Sequence, residues 1–345
     1  MLTRTLSSGA AALSLLVGCT AHSLAQDDFE GTIERARERG TLHGCVAVIA
    51  GGEIVHESCD GLLVEPDGEV ITRDTRFRIA SLTKLFTQVA VLRLVDAGEL
   101  SLDDTVSQHR PAFDASWADR VTVGQLLAMT SGLPRELHGR PDVGVEFDAG
   151  GFAGPYLDEH GGVALEGRPG GASSYSNLGY WVLGAIVESV TGEPYAEAVR
   201  SLVFVPAGLD STGMGPESLG EPPRAAGHQR AGGGIERGPD FAIDMRYSSG
   251  GLESTIGDLE RLALALLGGE LLSAESTDLL FTGFGEDDDG RVLVAGMLPG
   301  FMNMIILDRD AGTAVISLNN SVAENPNLFM RLMESLERRA GRVGG

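Results

Sequence analysis

Residues 78–87 read Arg78-Ile79-Ala80-Ser81-Leu82-Thr83-Lys84-Leu85-Phe86-Thr87, and this stretch carries the most information about the chain. If a helix begins near Ser81, residues three apart share one face, and the hydroxyl of Ser81 comes within reach of the amine of Lys84. Apolar neighbours would partly desolvate that amine, which favours its neutral form and lets it accept the serine proton. Taken alone, a serine and a lysine at this spacing are more often a helix cap and a surface charge. The other motifs of the chain therefore decide between these two interpretations.

Length and composition indicate a globular chain with room for one large core or two modest ones. It has 345 residues, of which 43% are hydrophobic and 22% are charged, and its formal net charge is −23. A surface of that sign repels nucleic acid and anionic membrane faces, so no nucleic-acid partner is expected. The histidines show no metal-ligand spacing, so neither a metal nor another cofactor is expected.

The N-terminal segment, residues 1–25, has the pattern of a signal peptide, with one charge, Arg4, ahead of a short apolar run. Two processing routes fit this segment. Ser23-Leu24-Ala25 ends in a small residue and suits ordinary signal peptidase, whereas Leu16-Val17-Gly18-Cys19 looks like a bacterial lipobox in which Cys19 would be lipidated. We favour the lipobox. Either route predicts an exported protein, periplasmic or lipid-anchored in the bacterial cell envelope.

Cys45 and Cys59 flank a turn at Gly51-Gly52-Glu53 between two alternating segments. A hairpin centred on Gly52 would pair residues whose numbers sum to 104, which places the two cysteines opposite each other. Opposed strand residues are close enough to bridge, and an exported compartment is oxidising. We therefore predict a Cys45–Cys59 disulfide. The alternative is a pair of small buried thiols.

Strand-like segments cluster at both ends of the chain, and helical segments with loops fill the middle. Alternating or apolar runs within residues 45–59 and 292–318 predict strands, whereas capped amphipathic or apolar runs predict helices between them and at the C-terminus. This order predicts an α/β protein of the α+β type, with an antiparallel sheet flanked by helices and built from both chain ends. We place this domain at residues 27–340, with a mostly helical insertion at about 100–200. The segment 139–171, rich in glycine, proline and acids, is predicted to be irregular loop.

A second candidate motif, Tyr175-Ser176-Asn177, precedes an apolar helix predicted at residues 178–190. From a turn, Tyr175 and Asn177 would both project into a cleft. With Lys84 nearby, the phenol of Tyr175 would serve in proton transfer, and the amide of Asn177 would hydrogen-bond both a substrate carbonyl and the lysine. The plainer interpretation is that Asn177 caps the helix and Tyr175 packs against it.

Together the motifs resemble the serine β-lactamase and penicillin-binding-protein superfamily, in particular its class C-like, β-lactamase-related branch. Ser81 to Lys84 matches the Ser-x-x-Lys motif of that superfamily, and Tyr175 to Asn177 matches its Tyr-x-Asn motif. Residues 126–134 and 250–259 look like two further stretches of the branch, with Met129 where histidine is common. The resemblance covers nearly the whole chain after the signal segment.

The resemblance implies a role for each of these residues. Ser81 would be the nucleophile that forms an acyl-enzyme, Lys84 would be its activating partner, and Tyr175 would shuttle protons to and from Ser81 and the leaving group. Asn177 would orient the substrate. The backbone N–H groups of Ser81 and Met297 would form the oxyanion hole, and no cofactor would take part.

The chain departs from the family at the third motif. Where the family has Lys-Thr-Gly or His-x-Gly shortly before Pro-Gly-Phe, this sequence has Val294-Ala295-Gly296 before Pro299-Gly300-Phe301. Gly296 is retained and Met297 would supply the backbone donor, but the cation is absent. A cation facing an anionic group is worth about 1.5–3 kcal/mol. Its loss therefore disfavours β-lactams and D-Ala-terminated peptides, which carry a carboxylate, relative to neutral esters.

We therefore expect an exported serine hydrolase that is esterase-like, with a small-molecule ester, amide or peptide as its substrate. Two alternatives stay open. One is a D,D-peptidase or weak β-lactamase that acts on cell-wall peptides or β-lactams. The other is a non-catalytic binding protein that keeps the fold of the penicillin-binding proteins.

Overall fold

The computed structural model describes residues 29–136, 157, 162–214, 223–231, 234–238, 247–284, 290–323 and 325–344. The predicted signal segment with Cys19 lies outside the described residues, as does most of the predicted loop at 139–171. Within the described ranges, no helix is both long enough and apolar enough to cross a bilayer.

The regular elements of the described residues are numbered here in chain order. The strands are β1 (Gly44–Ala50), β2 (Glu53–Cys59), β3 (Phe77–Arg78), β4 (Gly213–Met214), β5 (His228–Ala231), β6 (Gly234–Arg237), β7 (Leu252–Ser254), β8 (Arg291–Leu298), β9 (Phe301–Asp308) and β10 (Thr313–Asn319). The helices are α1 (29–38), α2 (Thr83–Asp96), α3 (Val106–His109), α4 (Val123–Leu127), α5 (Asn177–Thr191), α6 (Tyr195–Val199), α7 (Val205–Ala207), α8 (Tyr247–Gly250), α9 (Ile256–Leu267), α10 (Ala274–Thr282) and α11 (Pro326–Gly344). A 3-10 turn (Ala80–Leu82) precedes α2, and a π-helical turn (Arg200–Phe204) joins α6 to α7.

The central sheet is antiparallel, with the strand order β2-β1-β10-β9-β8. β1, near the start of the described chain, pairs along its length with β10, near the end, from Gly44 opposite Asn319 to Ala50 opposite Thr313. Strands from the two ends of the chain therefore meet in the middle of the sheet. Together with the helices on both faces, this arrangement confirms the predicted fold class.

Each face of the sheet packs against its own group of helices, because successive side chains of a strand point to opposite faces. On one face, Val46 and Met304 share an apolar cluster with Phe29 of α1, and α11 belongs to the same layer. On the other face, Ile305 shares a cluster with Phe86 of α2 and with residues of α9. α2 is buried on nearly all sides, which explains why its apolar residues are not confined to one face.

Helices α3 to α6 belong to a part of the chain that was expected to be mostly helical. Trp117 and Tyr180 are large, fully buried members of a third apolar cluster, which lies in this layer. Val91 and Leu94 of α2 belong to that cluster, whereas Phe86 of the same helix belongs to the cluster under the sheet. α2 therefore joins the sheet to the helical layer, with Ser81 in the turn just before it and Lys84 in its first turn.

The Cys45–Cys59 disulfide predicted from the hairpin is confirmed. The two cysteines are opposed in register, although the hairpin is less regular than the prediction assumed. The pair that closes its turn is Ala50–Glu53, one position away from the predicted register, and a β-bulge farther along the strands restores the pairing. The spacing argument therefore reached the correct pair even though the turn itself is shifted.

A buried acid on α9 links the stability of the fold to pH. The Glu260 side chain is 1% exposed, and Arg73 bridges it to Glu57 with nitrogen–oxygen distances of 2.7 Å to Glu260 and 2.8 Å to Glu57. Burial, reinforced by the charge of Glu57, raises the pKa of Glu260 from 4.5 to about 7.

We expect the free energy of unfolding to fall as pH rises from 4.5 to about 7, because the folded chain still holds a proton on Glu260 that the unfolded chain has released. Glu260→Gln removes this loss. From about pH 5 to about pH 8 the free energy of unfolding of the variant should rise relative to that of the unmodified chain by about 2–3 kcal/mol. Urea denaturation at both pH values measures the gain, with the exposed Glu270→Gln as control. A difference from the unmodified chain that is the same at both pH values would refute the expectation.

Candidate active site

Ser81 lies at the turn where the chain passes from β3 into α2. Its neighbour Ala80 has a φ of 51°, in the left-handed region that residues with a Cβ rarely adopt. Thr83 holds this turn, because its Oγ1 donates to the carbonyl of Ala80 at 2.7 Å and accepts from the backbone N–H of Leu252 at 3.1 Å. The turn thereby fixes the direction of the Ser81 side chain. Backbone held in a rare conformation of this kind is concentrated at functional sites.

Lys84 is the only lysine of the chain, and it is 3% exposed. Its Nζ lies 3.2 Å from Ser81 Oγ, 2.7 Å from Asn177 Oδ1 and 2.6 Å from the carbonyl oxygen of Ser249. The amine is buried, as expected from the sequence. Its polar contacts include these three oxygens, however, so it is not surrounded by apolar side chains alone.

Two of these three oxygens can only accept hydrogen bonds, because an amide oxygen and a peptide carbonyl carry no proton. They occupy two N–H groups of Lys84, so the third position of its nitrogen points at Ser81 Oγ. That position holds a proton when the amine is charged and a lone pair when it is neutral. Lys84 can therefore donate a hydrogen bond to Ser81 or accept its proton without changing place.

Tyr175 reaches the same hydroxyl from the segment that precedes α5. Its OH lies 2.8 Å from Ser81 Oγ, and Lys84 Nζ lies 4.9 Å from the centroid of its ring. Tyr175 is 36% exposed, so the Ser81–Tyr175 pair is open to a substrate while Lys84 is shielded. Ser81 Oγ thus has two proton-transfer partners within hydrogen-bond distance.

Asn177 is the first residue of α5, but it is not the cap of that helix. Ser176 is the cap, because its Oγ accepts from the backbone N–H of Gly179 at 3.0 Å. The Asn177 side chain instead accepts from Lys84 through Oδ1 and donates through Nδ2 to Glu136 Oε1 at 2.5 Å. The interpretation of Asn177 as a simple helix cap is therefore wrong.

The edge strand β8 packs tightly against the 3-10 turn that carries Ser81. A Cβ built on Gly296 would lie 2.2 Å from the carbonyl oxygen of Ile79 and 2.8 Å from Leu82 Cδ1. Real Cβ contacts are not that short, so only glycine lets the strand come this close. Gly296 thus sets the distance between β8 and Ser81.

The pairing register of β8 with β9 fixes the direction of the backbone N–H of Met297, the residue after Gly296. In an antiparallel ladder, hydrogen-bonded and non-hydrogen-bonded pairs alternate. Leu298 and Phe301 close the two-residue turn of the β8–β9 hairpin, so the following pair, Met297–Met302, is of the non-hydrogen-bonded kind. The N–H of Met297 is therefore directed away from β9, toward the open edge of the sheet.

The third-motif position on β8 carries no charge toward Ser81. Val294 is partly buried and packs against the apolar cluster shared with α2. Arg291, the one charged residue of β8, is held by Glu337 of α11 through two hydrogen bonds of 2.8 Å and 2.7 Å. The wall that β8 contributes is therefore uncharged.

Three residues without a motif of their own complete the site. The carbonyl of Ser249 binds Lys84, and Glu136 binds Asn177. Asn303 is fully buried, and its Nδ2 donates to the carbonyl of Arg78 at 2.9 Å, which ties the sheet to the segment that leads into Ser81. A backbone carbonyl leaves no signal in a sequence, whereas Glu136 lies two residues after the family-like stretch 126–134.

The converging groups have a defined chemical capacity. Ser81 offers a hydroxyl flanked by a phenol and an amine, and the N–H of Met297 lies on the neighbouring strand edge. Such a hydroxyl can lose its proton as it attacks a carbonyl carbon, and backbone N–H groups can stabilise the resulting oxyanion. Within the described part of the chain, no three His, Cys, Asp or Glu side chains come together as metal ligands would.

Comparison with known proteins points in the same direction. A family model described as beta-lactamase matches residues 29–327. Penicillin-binding protein 4 of Amycolatopsis lactamdurans is 36% identical over 175 residues, 50% of this chain and 44% of that protein. Esterase EstB of Burkholderia gladioli is 36% identical over 201 residues, 54% of this chain and 50% of the esterase.

The chain thus spans about half the length of these curated relatives. Among solved structures, a penicillin binding protein from Bacillus halodurans superposes with a TM-score of 0.73 at 25% identity, over 89% of this chain and 98% of that one.

Proposed function

This chain belongs to the beta-lactamase family, and on that premise we propose that it is a serine hydrolase that works through an acyl-enzyme on Ser81. The observation that carries the proposal is the pair of contacts at one hydroxyl, with Tyr175 OH at 2.8 Å and Lys84 Nζ at 3.2 Å from Ser81 Oγ. A serine that serves only as a helix cap needs neither partner.

In the proposed reaction, Tyr175 takes up the proton of Ser81 and later passes it to the leaving group. With Tyr175 as the phenolate, Ser81 Oγ attacks the substrate carbonyl carbon while its proton passes to the phenolate oxygen, and the carbonyl oxygen becomes an oxyanion held by the N–H groups of Ser81 and Met297. The oxyanion collapses, the bond to the leaving alcohol breaks, and the alcohol takes the proton from Tyr175. Water then attacks the acyl-enzyme by the reverse proton path, which releases the acid and restores Ser81. Asn177 orients the substrate.

The substrates we propose are neutral esters. The side of the site formed by β8 is uncharged, because Val294 is partly buried against the apolar cluster. It therefore offers no positive charge to a substrate carboxylate. The relative named as an esterase supports the same choice. The relative named as a penicillin-binding protein keeps peptide or β-lactam substrates as the competing candidate.

A fluorophosphonate probe tests the proposed nucleophile directly, because it reacts with activated serine hydroxyls. The unmodified chain should form a stoichiometric adduct that maps to Ser81 by mass spectrometry, and Ser81→Ala should form none. Ser107→Ala, a change at a serine on α3, serves as the matched control and should label fully. An unmodified chain without an adduct would favour the binding-protein alternative.

The relative rates of hydrolysis of an ester and a β-lactam test whether neutral esters are the preferred substrates. We expect a short-chain nitrophenyl ester to be turned over at least about tenfold faster, in kcat/KM, than nitrocefin, whose carboxylate lacks a cation on β8. Val294→Lys should narrow this ratio by restoring a cation at the third motif. Faster nitrocefin turnover by the unmodified chain would assign it to β-lactams instead.

We also propose export, on the signal-like pattern of residues 1–25. The Cys45–Cys59 disulfide supports the proposal, since disulfides persist in oxidising compartments. Intact-mass analysis of the processed chain distinguishes an N-terminus after Ala25 from a lipidated Cys19. An unprocessed N-terminus would contradict export.

A further inference from the structure

The loop after α4 places two opposite charges along the first turn of α5. The carbonyl of Arg135 accepts from the backbone N–H of Asn177 at 2.9 Å and from that of Leu178 at 3.4 Å. These bonds satisfy N–H groups that the first turn of a helix cannot pair internally. They also fix the backbone of Arg135 beside the site, while the next residue, Glu136, holds the Asn177 amide.

The Arg135 side chain turns to the tyrosine of the site. Its guanidinium carbon lies 4.7 Å from the centroid of the Tyr175 ring, and Lys84 Nζ lies 4.9 Å from the same centroid. A cation at this distance from a ring is attracted by its π face. The attraction is stronger for a phenolate than for a phenol, since the phenolate ring carries a full negative charge.

We propose that Arg135 is a positioning residue of this site, whose guanidinium holds the Tyr175 ring over Ser81 and favours the phenolate. It would thereby supply, from the helical layer, the positive charge that β8 lacks. Its consequence for hydrolysis rests on the proposed function, whereas its effect on the ionisation of Tyr175 does not.

The other charged and titratable groups around Tyr175 in the described residues are few. Lys84 of α2 is common to every variant considered below. Tyr180 of α5 is fully buried, and burial raises its pKa, so it stays neutral over the pH range of the titration described below. Glu136 is directed to the Asn177 amide. Arg135 is therefore the cation whose removal changes the field at Tyr175 without breaking the Lys84 contacts to Ser81 and Asn177.

The experiment is an ultraviolet titration of tyrosinate in the full-length protein. The phenolate absorbance is followed from about pH 6 to about pH 11 in the unmodified chain and in Arg135→Gln, Arg135→Met and Arg135→Lys. Tyr175→Phe identifies the transition that belongs to Tyr175. Burial raises the pKa of Tyr195 and Tyr247, which keeps those two rings out of this window. Arg338→Gln, at a side chain 62% exposed on α11, controls for the loss of one positive charge.

We expect the Tyr175 transition to move up by about one pH unit in Arg135→Gln and Arg135→Met, the low end for a charge removed from this distance because the site is open to solvent. Arg135→Lys should move it less, and Arg338→Gln should not move it. The pH profile of kcat/KM for a neutral ester should shift by the same amount, whereas a structural role would lower the rate equally at every pH.

If the Tyr175 transition falls at the same pH in the unmodified chain, in Arg135→Gln and in Arg135→Met, the proposal is overturned. Arg135→Met is included because it conserves bulk if the glutamine variant folds poorly. If the unmodified chain hydrolyses no ester, the proposed function fails, but the titration still decides the role of Arg135.

Discussion

Replacing Lys84 by methionine is expected to lower kcat/KM for a neutral ester by about a thousandfold, within the range of general acid–base contributions. The amine contacts Ser81, the proposed nucleophile, and Asn177, which we propose orients the substrate, so one change removes both a proton-transfer partner of Ser81 and the support of the Asn177 amide. Steady-state kinetics on the nitrophenyl ester measures the loss. The rate of fluorophosphonate labelling should fall in parallel, because labelling needs the same activated hydroxyl.

The fold should survive this change. Methionine has nearly the length of lysine, and the cost of leaving the Asn177 and Ser249 oxygens without the amine, about 1–3 kcal/mol each, is offset by removal of a buried polar group. Urea denaturation and circular dichroism establish whether the variant is native. A native Lys84→Met variant that labels and turns over at the original rate would rule out Lys84 as an activating group.

The second large effect is expected at a residue that makes no contact with substrate through a side chain. Gly296→Ala should lower kcat/KM about a hundredfold, the scale of losing one oxyanion donor. The new methyl would lie 2.2 Å from the backbone oxygen of Ile79, so β8 has to move away from the 3-10 turn. That movement carries the N–H of Met297 away from Ser81.

The loss should fall on kcat more than on KM, since the oxyanion exists only during the reaction. Gly341→Ala is the matched control, because a Cβ there meets nothing within 4 Å, and it should leave kcat unchanged. The Gly296 variant should also lose about 1–3 kcal/mol of stability through overpacking. Full activity in a folded Gly296→Ala variant would show that the approach of β8 is not needed.

Local signals in the sequence predicted those parts of the structure that depend on neighbours along the chain. The Cys45–Cys59 pair follows from a short hairpin, although its turn is shifted by one residue, and the Ser81–Lys84 contact follows from one helical turn. The pairing of β1 with β10 joins residues more than two hundred positions apart, and only the clustering of strand-like segments at both ends indicated it. The fold class was predictable for that reason, but the strand order was not.

Only those residues of the candidate site that belong to a sequence motif could be predicted. Tyr175 and Asn177 were found, yet the choice between cap and ligand required the position of Ser176, which competes for the same role. The Ser249 carbonyl that fixes Lys84 and the approach of β8 to Ile79 are backbone features created by tertiary packing. Arg135 could not be assigned either, because its contact with Tyr175 crosses from one loop to another.

The composition of basic residues has a practical consequence for studying this protein. Every positive side chain except Lys84 is an arginine. Lysine labelled with nitrogen-15 would therefore give a single Nζ resonance in an NMR spectrum, from the amine beside Ser81. Reagents that attach dyes or solid supports to lysine amines would find one such group, buried at 3% exposure, and should label the folded protein poorly. The same spectrum, followed through a titration, would report directly whether that amine is charged when substrate arrives.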